Sequence, residues 1–230
     1  MVDLRSWITG GERWTPTRVA LYLVGCLLFS IGVKMFIDAA LGVDPLHAMV
    51  IGIVGAIDYD FIRIGFVASA VTIIFLLVWS LWNRKLPPLM TFVTMALVGY
   101  LVDLWNLVGL EHLTTAYLAP APLMLLGLLV DAYASALIIM SGIGIRVMDL
   151  VALTFVKRLG WHFLWAKLLF EVGFVTVAWI LGGPVGIGTL GFVLIVGTLI
   201  APMMWASGRF LGLPNYGLAR DPDSPVLVRA

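Results

Sequence analysis

Charge, cysteine and histidine are what this chain has least of. Only 12% of its 230 residues are charged, where an ordinary soluble domain carries about 25%. Cys26 is the only cysteine, which excludes a disulfide framework and a thiolate metal cluster. His47, His112 and His162 fall in separate segments without the His-x-x-x-His spacing of a zinc helix, so no metal site is expected. Fourteen Lys and Arg against thirteen Asp and Glu leave a formal net charge of +1, which excludes the basic footprint of a nucleic-acid binder. There is no nucleophile and base constellation, so no catalytic residue and no enzyme activity are expected. No cofactor is expected either: Gly186-Ile-Gly-Thr-Leu-Gly191 spells the dinucleotide pattern but leads into an apolar run instead of a βαβ unit.

What the chain has in excess is apolar surface. Hydrophobic residues make up 62% of it and the mean hydropathy is +1.07, too high for a soluble fold of this size. A span needs about 20 apolar residues to cross about 30 Å of hydrocarbon, and the sequence holds six such runs, near 18–38, 64–82, 88–108, 122–141, 163–182 and 187–206. Six crossings put both termini on one side. The basic residues select that side: Arg5, Arg13, Arg18, Arg84, Lys85, Arg146, Lys157, Arg158, Arg209, Arg220 and Arg229 fall with the termini, and only Arg63 falls opposite. The acidic Asp44, Asp58, Asp60 and Glu111 occupy the opposite loops, so the termini are expected in the cytoplasm. Trp79, Trp82, Trp105, Trp161, Trp165, Trp179 and Trp205 sit near span ends, as an aromatic belt would.

Two apolar stretches are too short to cross, Pro45 to Ile57 and Val147 to Phe155, and read as re-entrant or interfacial segments. They occupy corresponding places. A shift of 102 residues aligns Gly25 with Gly127, Gly42-Val43 with Gly144-Ile145, His47 with Asp149 and Phe61 with Phe163. A shift of 98 then aligns Thr91 with Thr189, Val98-Gly99 with Val196-Gly197 and Leu101 with Leu199. Each half therefore reads span, short segment, span, span, and three crossings per unit force the second copy to enter from the opposite side. The expected fold is an all-α polytopic membrane protein: six transmembrane helices plus two short re-entrant or interfacial helices, in an inverted-topology repeat of two three-span halves. Its expected divisions are a cytoplasmic or interfacial segment 1–17, a first repeat 18–108, an extracytoplasmic linker 109–121, a second repeat 122–206 and a solvated cytoplasmic tail 207–230.

Leu41-Gly42-Val43-Asp44-Pro45, Gly142-Ile-Gly-Ile-Arg146 and Gly182-Gly183-Pro-Val-Gly-Ile-Gly-Thr189 resemble motifs of the YczE/YitT-like bacterial integral membrane proteins, over roughly residues 20–206. Where the family pattern has an aromatic after the first proline, this chain has Leu46. The resemblance implies a multi-pass protein of the bacterial inner, or cytoplasmic, membrane and leaves the substrate open.

Ionisable groups inside spans cost about 2.5–3.5 kcal/mol each at a helix centre and are functional candidates by default. Here they are Lys34, Asp38, Asp103, Asp131, Lys167 and Glu171. Lys34/Asp38 and Lys167/Glu171 are spaced i, i+4, so each pair shares a helix face and can neutralise itself, while Lys167 can snorkel toward the cytoplasm. Asp131 has no opposite charge one turn away and is the first choice for proton coupling or cation contact. Gly42 and Pro45 in one half, and Gly142 and Gly144 in the other, break the helix before the short segments. A half-helix starting there directs free N–H groups at its surroundings. Asp44 and His47 would flank one mouth, Arg146 and Asp149 the other; Asp44 also reads as a plain helix cap and Arg146 as an ordinary positive-inside residue. Inverted repeats with interrupted segments point to alternating access. The expected function is a secondary transporter, proton- or ion-coupled, of a small polar or anionic organic solute; the alternative is a non-transporting membrane scaffold or accessory protein. The expected partners are the lipid bilayer and a small-molecule substrate, with a homodimer left open.

Overall fold

The computed structural model describes residues 14–57, 64–86 and 88–218, with backbone alone at 64–66, 111 and 113. The first thirteen residues, Asp58 to Arg63 and the tail from 219 lie outside the described residues, and with them the expected interfacial segment and the acidic Asp58 and Asp60. The described residues form helices α1 (Pro16–Asp38), α2 (Pro45–Ile57), α3 (Ile64–Asn83), α4 (Leu89–Val108), α5 (Leu110–Tyr117), α6 (Pro120–Ser141), α7 (Val147–Leu159), α8 (Phe163–Ile180) and α9 (Ile187–Phe210). Five of them, α1, α4, α6, α8 and α9, are long and apolar enough to cross a membrane, and the described apolar part of α3 is the shorter Val67–Asn83.

The helix ends follow local chemistry. Pro16 starts α1 behind Thr15, whose hydroxyl accepts from the Arg18 N–H at 3.3 Å. Pro120 starts α6. Proline suits the first helical position, where its missing N–H is no loss. Gly109 and Gly142 end α4 and α6 in the left-handed conformation, which a glycine adopts without steric cost. Within α9 one turn, Phe192–Val196, widens to a π-helix, and Pro202 lies further along. A π turn and a proline both loosen the hydrogen-bond ladder of the helix that carries them.

α6 is the centre of the bundle. It packs along α1 and also against α9, while α4 covers α1. The α1 and α6 backbones come close through small residues. A Cβ on Gly25 would lie 3.1 Å from the Ile138 N and 3.2 Å from the Ala134 O. One on Gly127 would lie 3.0 Å from the Phe36 N and 2.9 Å from the Gly32 O. These pairings make the two helices antiparallel, and the close approach is the small-residue packing that membrane helices use in place of a hydrophobic driving force. The short helix α2 packs on α8 and α3, and α7 on α8 and α3.

The segment 109–121 between the halves contains the short helix α5. One expectation is corrected near the C-terminal end, that the chain is solvated from 207 on. The residues after 207 continue α9 to Phe210 and then fold back: the Tyr216 N–H donates to the Met140 carbonyl at 2.9 Å, and Asn215 is fully buried. The reason is the open end of α6, whose last carbonyls need donors. Arg18, counted from sequence among the basic residues on the side of the termini, is buried and does the same work, its Nε donating to the Ser141 carbonyl at 2.9 Å beneath the Tyr216 ring.

Candidate functional site

After α1 and after α6 the chain turns through a glycine loop and starts a 13-residue helix. Gly42 (φ +146°) and Gly144 (φ +58°) occupy corresponding places in those loops, and both conformations disfavour a residue with a Cβ. Each loop is held from a distant helix. The Thr189 hydroxyl, at the start of α9, donates to the Val43 carbonyl at 2.7 Å. The Thr91 hydroxyl, at the start of α4, donates to the Ile145 carbonyl at 2.9 Å.

The loop after α6 places Arg146 in the bundle interior. Its Nη2 donates to the Ser135 hydroxyl at 2.8 Å, six residues up α6, and its guanidinium lies over the Phe29 ring, 4.3 Å from the centroid. Phe29 is near the middle of α1. Asp149, in the first turn of α7, accepts from the Arg146 Nε at 2.8 Å and from the Lys167 Nζ at 2.6 Å. Lys167 on α8 also stands 3.3 Å from the Glu171 Oε1, an ion-pair distance without hydrogen-bond geometry. The Glu171 Oε2 faces the Gly197 backbone on α9, 2.8 Å from where a Cβ would stand. Arg146, Asp149, Lys167 and Glu171 thus form one largely buried chain of charges linking the loop after α6 to α7 and α8. Lys167 does not snorkel. It is buried with two carboxylates, a better exchange for its charge than a long path to water.

Asp44 serves as a cap: its Oδ1 accepts from the His47 N–H at 3.2 Å, while Oδ2 pairs with the His47 Nδ1 at 2.6 Å. Neither residue belongs to a spanning helix. The Asp44 carboxylate lifts the His47 imidazole above its ordinary value. Burial works against ionisation of Asp44, yet His47 and Arg146 outweigh it and hold that carboxyl below the usual carboxylate range.

Asp131 is fully buried in α6, with neither carboxylate oxygen hydrogen-bonded, and Arg146 and Asp44 act on it through space. Lys34 and Asp38 pair near the end of α1 at 2.5 Å, with Asp38 Oδ2 unbonded. Asp103 stays apart, exposed on α4. Among the described residues no group of three or more His, Cys, Asp or Glu is placed to hold a metal ion. Sequence reasoning missed Phe29, Ser135 and the anchoring role of Thr91 and Thr189. The pairing of the two threonines under the repeat was a usable signal. Nothing marked Phe29 or Ser135 among the many apolar and small residues.

The profile of a family of unknown function, DUF6198, matches residues 16–204. The chain is 25% identical to the "Uncharacterized membrane protein YczE" of Bacillus subtilis (strain 168) over 209 residues, 90% of this chain and 91% of that one. It is 26% identical to the "Uncharacterized protein YyaS" of the same organism over 188 residues, 80% and 90% of the two chains. No solved structure matches.

Proposed function

The chain belongs to the family of unknown function DUF6198, and from that premise and the geometry above we propose that it is a secondary transporter working by alternating access. Its six spans and two re-entrant helices form inverted repeats in a bacterial cytoplasmic membrane, with both termini inside. One observation carries this: the glycine approaches between α1 and α6 and the two threonine bonds map onto each other under the sequence shift. Moving by 102 residues turns the approach of Gly25 to the Ala134 O and Ile138 N into that of Gly127 to the Gly32 O and Phe36 N, with the same backbone atoms facing each glycine. The shifts of 102 and 98 likewise turn the Thr91 to Ile145 hydrogen bond into the Thr189 to Val43 bond. Chance similarity between two leucine-rich stretches has no reason to reproduce partner atoms.

Each half therefore holds the entrance of the other half's short helix, so a movement that loosens one loop is felt across the repeat interface. Two such halves can exchange conformations, turning an outward-open form into an inward-open one. The depth reached by Arg146 supports a re-entrant placement for α7. Both cations of the buried chain are engaged by carboxylates, so a small polar solute, neutral or zwitterionic, suits the site better than a bare anion.

Purified protein is screened for small polar solutes that raise its thermal midpoint, and the hits are offered to proteoliposomes under imposed pH and ion gradients. Saturable, gradient-dependent uptake of a stabilising solute is the expected result. A non-transporting scaffold would bind such solutes without moving them, or bind none, and either result overturns the proposal.

A further inference from the structure

We propose that Asp131 carries the one proton this transporter exchanges, and that α1 and α6 must part at Gly32 before the proton can leave. That the proton is exchanged rests on the transport function proposed above; its location does not. It follows from counting charges and hydrogen bonds. Asp44 is taken up by His47. Of the remaining groups, Arg146 and Lys167 supply two positive charges, while Asp131, Asp149 and Glu171 supply three carboxyl groups. The network is one positive charge short. Asp44 holds His47, Asp149 holds both Arg146 and Lys167, and Glu171 keeps Lys167 at 3.3 Å. Asp131 has neither a cation nor a donor at either oxygen. A bare carboxylate is not sustained in a buried apolar setting without such partners, so the missing charge sits there.

On the α1 side there is no room at Asp131 for a larger occupant. A Cβ on Gly32 would overlap the Asp131 carboxyl and lie 2.9 Å from both the Asp131 N and the Gly127 O, so the α1 backbone itself closes over the group. A metal ion needs several oxygen ligands and room for them. From the other side α9 meets α6 apolar, through Gly191 with Leu128 and Met124. The charged groups acting on Asp131 are Arg146 and Asp44, of opposite sign, both through space and from the two glycine loops. Breaking the O–H bond here requires water to take the proton and to solvate the carboxylate left behind. Water reaches it only when the two helices separate. Proton release and the opening of the repeat interface are then one event.

The native thiol reports that event, because Cys26 is fully buried on α1 against Ala134 and Ile138 of α6. Infrared spectra of the detergent-solubilised full chain, with and without ¹³C-labelled aspartate, should show a protonated carboxyl band near neutral pH. The band should move with the label, persist in Glu171→Gln and vanish in Asp131→Asn. Maleimide labelling of Cys26, taken as the ratio of wild type to Asp131→Asn at each pH, should rise by about tenfold per pH unit, the slope of one linked proton. A band that survives Asp131→Asn, a band that does not move with labelled aspartate, or a flat labelling ratio overturns the proposal. The isotope arm needs no substitution, so a band that ignores labelled aspartate overturns the proposal even where Asp131→Asn fails to fold. Neither readout needs a solute: both as expected beside failed uptake would overturn transport alone, whereas uptake beside a negative result here would overturn only the assignment to Asp131.

Discussion

Gly32 shows how much can depend on a missing side chain. The chain has 24 glycines, and among the described ones Gly55, Gly99 and Gly173 combine an ordinary φ with open space where a Cβ would stand. At Gly32 the α1 and α6 backbones and the Asp131 carboxyl occupy the space a Cβ would need. Gly32→Ala should therefore force the helices apart and cost about 1–3 kcal/mol, the usual range for overpacking, read as a fall in thermal midpoint in detergent. Gly173 on α8 has nothing within 4 Å of its Cβ position. Gly173→Ala is the matched control and should be neutral or slightly stabilising, since alanine is the better helix former. Equal midpoints for the two variants would show that the crossing is looser than its geometry. Asp131 was recognisable in the sequence by its depth and its isolation. Gly32 was not, because a glycine at a helix crossing and a glycine facing lipid are the same letter.

Short helices inside a membrane protein need their entrances fixed, since each loop carries backbone groups that lipid cannot satisfy. Here the fixing is reciprocal: α9 holds the loop before α2, and α4 holds the loop before α7. Thr189→Val keeps the shape and removes the donor, leaving the Val43 carbonyl without that bond; a loss of about 1–3 kcal/mol is expected for a buried acceptor so orphaned. Hydrogen exchange should then rise at residues 43–47, far from the substitution in sequence, with little change at 145–149. Thr91→Val should give the opposite pattern. Exchange that rises in both loops, or only next to the mutated residue, would remove the reciprocal anchoring. The loops themselves were legible from Gly42, Pro45 and Gly144, whose types are dictated by backbone geometry. The repeat marked Thr91 and Thr189 as a corresponding pair, but which carbonyl each hydroxyl reaches was beyond sequence reasoning, because a threonine hydroxyl near a carbonyl leaves no trace in periodicity or composition. The fold-back at Tyr216 was missed for a related reason: a Pro- and Gly-containing end reads as solvated unless the helix end it covers is known.

At the scale of the whole molecule the spans were the most legible feature, since hydropathy over 20 residues averages away local accidents: the runs expected at 18–38, 88–108, 122–141 and 163–182 became Pro16–Asp38, Leu89–Val108, Pro120–Ser141 and Phe163–Ile180. Orientation rests on different physics, the reluctance of Lys and Arg to cross, and it can be tested without any ligand. The inverted arrangement places Tyr117, at the end of α5, outside and Lys157, in the last turn of α7, inside. In a Cys26→Ser background, single cysteines at 117 and 157 should react with a membrane-impermeant maleimide from opposite faces in whole cells and inside-out vesicles. Tyr117 is 84% exposed, so its reactivity is limited by sidedness and not by burial. Labelling of both from the same face would make the number of crossings between α5 and α7 even. The second half would then enter the membrane from the same side as the first, and the matching threonine bonds could no longer relate two oppositely oriented units.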